Sequence, residues 1–213
     1  MLAGHYAAAY ALKVSRPSVP LWALFVAVQA VDIAFFVLAA AGVETLRVNP
    51  GARGPLAMNL VHIPFTHSLT MTVLYAVALV AAGVVAKRLW AGVVLAAALV
   101  SHWSLDLFVH THDLPLTVSG PTKVGLGLWA YPNLALALEV GLLLVAYAAL
   151  RRSLSAGTKR RWADLGAAVL VVTQLIYVFG PPPATAVQMA VAAEAIYVVM
   201  AVLAYRVDRQ RAG

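Results

Sequence analysis

Long apolar runs separated by short polar loops make up most of the chain. The first run, residues 2–13, would span about 18 Å as a helix, which is less than the ~30 Å hydrocarbon core of a bilayer. We therefore expect a half-helix there. Six longer runs follow, each of a length suited to a membrane helix, at residues 21–43, 64–86, 89–109, 124–150, 162–179 and 184–205. The pattern predicts an all-α polytopic membrane bundle of about six transmembrane helices plus a short N-terminal half-helix.

The composition agrees with a membrane location. Hydrophobic residues make up 63% of the chain and charged residues 11%, whereas soluble domains have about 25% charged residues. The mean hydropathy is +0.88. The length of 213 residues suits a single integral membrane domain over residues 1–213, without a separate soluble domain. Because the chain has no cysteine, disulfides and thiolate metal sites are excluded.

The positive charges are distributed unevenly between the two sides of the predicted bundle. If six spans alternate, every lysine and arginine except Arg47, Arg53 and Lys123 falls on one side. Basic loops stay in the cytoplasm, so we expect both termini there. The net charge of +7 is thus a topology signal, and we expect no nucleic-acid partner. The first residues lack the basic start of a signal peptide, so we expect them to be retained.

The third span carries a polar pair, His102 and Asp106, close to its outer end. Four residues correspond to about 400° of helix rotation, so both side chains leave from one face, one turn apart. An imidazole and a carboxylate placed in this way can bind one divalent metal ion. Polar groups are costly inside a bilayer and usually serve a function. The structural alternative is a hydrogen-bonded contact between helices.

Three further polar residues are expected at a similar depth. Asp32 lies about 18 Å from the cytoplasmic end of its span, and His102 about 20 Å from the end of its own. His67 stands near the outer end of the second span. If the half-helix descends toward the cytoplasmic side, His5 reaches about 12–18 Å. We therefore expect His5, Asp32, His67, His102 and Asp106 to lie within range of one another in the outer half of the membrane.

These residues stand in blocks that resemble a known family. The block from His62 to Ser68 resembles the His-Arg-Gly-x-Thr-His-Ser block of the YdjM-like (DUF457) predicted membrane-bound metal-dependent hydrolases of bacteria and archaea, and residues 102–106 resemble their His-x-x-Leu-Asp block. His5 and Asp32 match the other two polar positions. Ile63 and Pro64 replace the family's Arg and Gly, and one aspartate stands where the family usually has two. The resemblance covers roughly residues 1–140, the expected metal-site core, and residues 141–213 add further transmembrane helices.

The family in turn is similar to zinc-dependent phospholipase C and the S1/P1 nucleases, which are all-helical zinc enzymes. Carried over residue by residue, the resemblance implies that Asp32, His67, His102 and Asp106 hold one catalytic metal ion. It implies that His5 and a bridging Asp106 contribute to a second. His62, His110 and Glu139 are candidates for contacting and orienting these ligands without binding the metal themselves. We expect one or two ions.

The donor types point to the same chemistry without the family. Two histidines and two carboxylates suit Zn²⁺, with Mn²⁺ or Fe²⁺ as alternatives. Such an ion lowers the pKa of bound water to about 7 and supplies hydroxide. We therefore expect a hydrolase acting on phosphoester bonds of membrane lipids or lipid-linked substrates. An ion- or proton-coupled transporter, and a non-catalytic subunit that binds a metal or tetrapyrrole through histidine, are the alternatives. The sequence leaves the substrate and the oligomeric state open.

Several polar and aromatic residues are expected to be structural. His110, His112 and Asp113 are predicted to face water at the outer surface. Trp129, like the other tryptophans, is interpreted as an interface anchor or a packing residue. Glu139 is predicted to pair either with the metal site or with a nearby tyrosine.

Overall fold

The computed structural model of the protein describes residues 1–49 and 51–209. Pro50 and residues 210–213, which include Arg211 of the basic tail, lie outside the described residues. The described part contains seven α-helices, which are α1 (Ala3–Ser15), α2 (Leu21–Ala40), α3 (Leu69–Val85), α4 (Leu89–Val109), α5 (Pro132–Ser153), α6 (Thr158–Phe179) and α7 (Ala186–Arg209). The predicted all-α class is confirmed.

Five of these helices, α2 and α4 to α7, are long and apolar enough to cross a membrane. They identify the chain as an integral membrane protein. The predicted second span, residues 64–86, is shorter than expected, because α3 has only 17 residues and starts after Ser68, whose hydroxyl accepts a hydrogen bond from Met71 N. The number of long spans in the described chain is therefore about five rather than six.

Helices α3 and α4 form a tight hairpin whose turn includes Lys87 at a φ of 54°. Two glycines allow the close approach. A Cβ atom added to Gly83 would lie 2.8 Å from the Cα atom of Gly92, and one added to Gly92 would lie 2.7 Å from the carbonyl oxygen of Leu79. A larger side chain at either position would push the two helices apart.

Helix α1 confirms the predicted short N-terminal helix and is packed inside the bundle. It contacts α5 and α2 most extensively, and also α4. Tyr6 and Tyr10 of α1 are buried against Phe25 of α2, with ring centroids 4.7 and 5.3 Å apart. At the end of α1, Lys13 Nζ donates to Asp208 Oδ1 of α7 at 3.0 Å. The end of α1 therefore lies beside the end of α7, and its start lies deeper in the bundle.

Short strands and 3₁₀ turns occupy two segments that the sequence predicted as loops or as helix. Strands β1 (Thr45–Val48) and β2 (Met58–His62) form an antiparallel hairpin, and β3 (Leu114–Pro115) pairs with β4 (Lys123–Val124). The predicted fourth span begins late, at Pro132, because residues 123–130 form β4 and a 3₁₀ turn. These segments cover the end of the bundle at which the predicted ligands lie.

Candidate metal centre

Five side chains predicted to converge do so in the structure. They are contributed by four segments, with His5 on α1, Asp32 on α2, His67 just before α3, and His102 and Asp106 on α4. We call these five residues the His/Asp cluster. Two groups of three ligand atoms, one each from His5, His102 and Asp106 and one each from Asp32, His67 and His102, have all members within 4.8 Å of one another. Segments distant in sequence thus meet at one point.

Asp106 lies between two imidazoles. Its Oδ2 atom is 3.0 Å from His102 Nε2, and its Oδ1 atom is 3.2 Å from His5 Nε2. The rings of His5 and His102 are stacked, with centroids 3.8 Å apart. Because each carboxylate oxygen faces a different histidine, Asp106 can bridge two adjacent cations.

Asp32 approaches the same nitrogen of His102 as Asp106 does. Its Oδ1 atom is 3.3 Å from His67 Nε2 and 3.6 Å from His102 Nε2. Its Oδ2 atom accepts a hydrogen bond from the hydroxyl of Tyr197 at 3.3 Å. The Asp32 side chain is 16% exposed, whereas the other four cluster side chains are almost fully buried. Asp32 is therefore the most accessible member of the cluster.

In two cluster histidines, Nδ1 makes a hydrogen bond on the side of the ring that faces away from Asp32 and Asp106. His102 Nδ1 lies 2.7 Å from the carbonyl oxygen of Val28, which can only accept, so this nitrogen carries the proton. His67 Nδ1 lies 2.8 Å from Thr66 Oγ1. A hydrogen bond at one ring nitrogen fixes the tautomer and leaves the other nitrogen with its lone pair. In both residues that other nitrogen, Nε2, faces the cluster.

Glu44 fixes the hydrogen-bond direction at His67, and sequence reasoning missed it. Its Oε2 atom accepts from the Thr66 hydroxyl at 2.6 Å, and its Oε1 atom accepts from the backbone N–H groups of Phe65 and Thr66 at 2.8 and 3.0 Å. Because Thr66 donates its only hydroxyl proton to Glu44, its oxygen is left to accept from His67 Nδ1. Glu44 lies in a segment predicted as a polar loop, and no local pattern there points to His67.

His110 corrects a second expectation, because it is buried rather than facing water. Its Nδ1 atom donates to Asp113 Oδ1 at 2.9 Å, and its Nε2 atom lies 3.7 Å from Asp106 Oδ1. The chain folds back over it, since Gly127 N donates to the His110 carbonyl oxygen at 2.7 Å. Trp129 then packs on the imidazole with centroids 4.1 Å apart, which is the packing role considered for it. His112 is exposed, as expected.

Glu139 supports the cluster through α1. It is fully buried on α5, and its Oε2 atom accepts from the backbone N–H groups of Leu2 and Gly4 at 2.9 and 3.4 Å. A carboxylate at the start of a helix satisfies free N–H groups and matches the positive end of the helix dipole. Glu139 thus anchors the helix that carries His5. Within the same pocket, the amino group of Met1 lies 2.6 Å from Asp106 Oδ1.

His62 is not brought to the cluster. It is exposed at the end of β2, where it pairs with Thr45 across the hairpin. Of the three residues expected to support the ligands, the structure therefore places His110 and Glu139 at the site and leaves His62 outside it.

The donor set fits a divalent cation. Among the described residues, the buried Nε2 atoms of His5 and His102 have no hydrogen-bond partner, although each lies close to a carboxylate oxygen. A buried polar atom without a partner costs about 1–3 kcal/mol. A cation that accepts both lone pairs and neutralises Asp32 and Asp106 would remove this cost. The ligand roles themselves stay a prediction.

Comparisons with protein-family models, with curated proteins and with solved structures give no match. The resemblance to the YdjM-like family accordingly remains an expectation from the quoted motifs.

Proposed function

We propose that this integral membrane protein is a metal-dependent hydrolase that cleaves phosphoester bonds in lipids or lipid-linked substrates. The observation that carries the proposal is the orientation of the histidines. His67, His102 and His110 each hold Nδ1 in a hydrogen bond, to Thr66, Val28 and Asp113 respectively, and turn Nε2 toward Asp32 or Asp106. Imidazoles that bind metals are typically supported in this way.

The ligands divide into two sets. Asp32, His67, His102 and Asp106 Oδ2 would hold one ion, which four donors of nitrogen and oxygen suit if it is Zn²⁺. His102 has one free lone pair and so serves only this ion. Asp106 Oδ1 and His5 would contribute to a second ion. When bound, a divalent ion of this kind lowers the pKa of a bound water to about 7 and polarises a phosphoryl oxygen.

The protein's own residues define how a substrate would approach. Asp32, His67 and His110 line a cavity beside the cluster, whereas His5 and His102 are sealed behind them. The Tyr197 hydroxyl orients the Asp32 carboxylate from the cavity side. A substrate would therefore meet the cluster on the side of Asp32 and His67, and bulk water is excluded from the opposite side.

The orientation in the membrane is part of the proposal. Lys13, Arg16, Lys87, Arg88 and Arg206 lie at the helix ends remote from the cluster, and positive residues favour the cytoplasmic side. The Lys13 end of α1 and the Arg209 end of α7 would then face the cytoplasm, with the cluster and the buried Met1 beside it toward the outer leaflet of a bacterial or archaeal cytoplasmic membrane. There it would meet lipid head groups.

An ion- or proton-coupled transporter is the second candidate. The observation that favours it is a continuous row of titratable groups, because His67, Asp32, His102, Asp106 and His5 follow one another with N···O distances of 3.3, 3.6, 3.0 and 3.2 Å, over which protons can pass without any metal ion. The tetrapyrrole alternative is less well supported, because the stacked rings of His5 and His102 leave no space for a macrocycle between them.

The test is metal analysis by plasma mass spectrometry of protein purified in detergent without added metal. We expect one or two zinc, manganese or iron ions per chain, and loss of metal in Asp106→Asn and His102→Ala. Asp164→Asn is the matched control, because Asp164 is 41% exposed and pairs with Arg151. The loaded protein should release phosphate or a head group from mixed phospholipid vesicles. Metal-free wild-type protein that also fails to take up added Zn²⁺ would rule the proposal out.

A further inference from the structure

A mainly apolar cavity of about 230 Å³ begins at the His/Asp cluster. Asp32, His67 and His110 form one end of it. The remaining wall comes from residues 1–2, α2, residues 54–60, Trp129, α6, residues 181–183 and α7. Apart from the hydroxyls of Thr173, Tyr177 and Tyr197 and the indole nitrogen of Trp129, the side chains of that wall are apolar, among them Phe36, Met189, Ala193 and Ile196. We call this space the apolar cavity.

We propose that the apolar cavity binds the hydrocarbon chain of the substrate and thereby presents the attached phosphoester to the end formed by Asp32, His67 and His110. This inference rests on the proposed function, because it takes the reacting centre to lie at the cluster. The enzyme would then select substrates with a long apolar chain, and the apolar cavity would be the site that recognises this chain.

The polarity of the cavity argues for an amphiphilic occupant. Ordered water needs two to four polar partners, and an apolar cavity of about 150 Å³ can stay dry and bind apolar molecules. The polar groups that could bind ordered water are concentrated at the end formed by Asp32, His67 and His110. Phe36 and Met189, which are 5% and 6% exposed, provide a buried apolar surface away from it. A molecule with a polar group at one end and a hydrocarbon chain at the other satisfies both parts.

The position of the cavity in the bundle argues for a lipid rather than a water-soluble amphiphile. Two of its lining residues, Ile176 on α6 and Ala192 on α7, are themselves exposed on helices that face the hydrocarbon core, with Ile176 64% exposed. The cavity thus reaches the lipid-facing surface between two membrane helices. A lipid chain can enter sideways from the bilayer without crossing water, and its phosphoester then lies at the end formed by Asp32, His67 and His110.

Chain binding can be tested without turnover. The probe is a phosphatidic acid with a diazirine at the end of one acyl chain, photolysed with the metal-depleted full-length protein in detergent. We expect adducts on cavity residues such as Phe36, Met189 or Ile196. Adducts confined to lipid-facing positions of the same helix, such as Val191 and Val198, would overturn the inference.

A pair of variants on α7 makes the test specific. Ala193→Trp fills the apolar cavity, whereas Ala195→Trp, about 200° further round the helix, faces outward and does not line it. We expect Ala193→Trp to reduce cavity adducts at least tenfold and Ala195→Trp to leave them unchanged. Ala193→Leu replaces the larger substitution if the tryptophan variant does not fold. Equal labelling in the two variants would overturn the inference.

Activity then separates this inference from the proposed function. In metal-loaded protein, Ala193→Trp should raise the KM for long-chain phosphatidic acid at least tenfold more than the KM for a short-chain, water-soluble phosphoester. Cavity labelling without hydrolysis of either substrate would overturn the proposed function and keep the chain site. Hydrolysis with equal KM changes for both substrates would keep the function and overturn the chain site.

Discussion

The imidazole rings of His5 and His102 are stacked in parallel, with centroids 3.8 Å apart and an angle of 11° between their planes. The two rings present their Nε2 atoms to different oxygens of Asp106. The two histidines are not equivalent, because only His102 is also close to Asp32, with 3.6 Å between His102 Nε2 and Asp32 Oδ1. The stacked pair places two potential metal positions side by side, with Asp106 shared between them.

This inequality predicts different metal contents for two alanine variants. His5→Ala should lower the metal content by no more than one ion per chain, because the set of Asp32, His67, His102 and Asp106 stays intact. His102→Ala should weaken the binding of all metal. The exposed His112→Ala serves as the control. Plasma mass spectrometry gives the ratio, and loss of all metal in His5→Ala with retention in His102→Ala would contradict the assignment.

Glu44 should influence metal affinity without touching the metal. Glu44→Gln and Thr66→Val both remove the arrangement that makes Thr66 an acceptor for His67 Nδ1. Loss of such support for a ligand typically costs about 10–100-fold in metal affinity. Titration calorimetry with Zn²⁺ measures this.

Thr70→Val is the matched control for Thr66→Val, because the Thr70 hydroxyl donates to Leu116 O and lies away from His67. It should bind Zn²⁺ with wild-type affinity. An unchanged Zn²⁺ affinity in both Glu44→Gln and Thr66→Val would show that the orientation of His67 does not depend on Glu44.

Removal of the metal should destabilise the protein. A ligand that binds only the folded state stabilises it by about 2.7 kcal/mol at a concentration one hundred times its Kd. We expect EDTA to lower the melting temperature in detergent and Zn²⁺ to restore it. Asp106→Asn should not respond to either reagent. Superimposable melting curves for the wild-type protein with and without EDTA would argue against a structural contribution of the metal.

The hairpin of α3 and α4 predicts a packing effect independent of the site. Gly83→Ala should destabilise the protein by about 1–3 kcal/mol, because the new Cβ atom would meet Gly92 Cα at 2.8 Å. Gly141→Ala is the matched control, since nothing lies within 4 Å of a Cβ atom built there and alanine favours the helix. Thermal unfolding of both variants in detergent measures the difference, and equal melting temperatures would contradict the close helix contact.

The sequence predicted the cluster residues because each obeys a local rule. His102 and Asp106 share a helix face by their spacing, and Asp32 is a lone charge in an apolar span. Counting residues from the span ends then placed them at a common depth. Because polar groups inside a thin membrane can meet only at similar depths, the depth of each residue along its helix was enough to predict that the four segments meet.

The supporting residues were not predictable in the same way. Glu44 and His67 meet through a hairpin whose strands, β1 and β2, were read as a polar loop. His110 is buried because residues 125–131 fold back over it, a contact that no periodic pattern encodes. The late start of α5 was not predictable either. The apolar residues from 124 onward form irregular structure at the end of the bundle, and their composition does not distinguish such a segment from a membrane helix.

The capping of α1 by Glu139 bears on how the protein is assembled during synthesis. His5, Asp32, His67 and the pair on α4 all leave the ribosome before Glu139 does, yet Glu139 is what holds the first helix at Leu2 and Gly4. A nascent chain that stops before α5 would contain every candidate ligand but would lack the anchor for the earliest one. His5 is thereby fixed only after α5 has been inserted, so the proposed second ion site would be completed later than the set of Asp32, His67, His102 and Asp106.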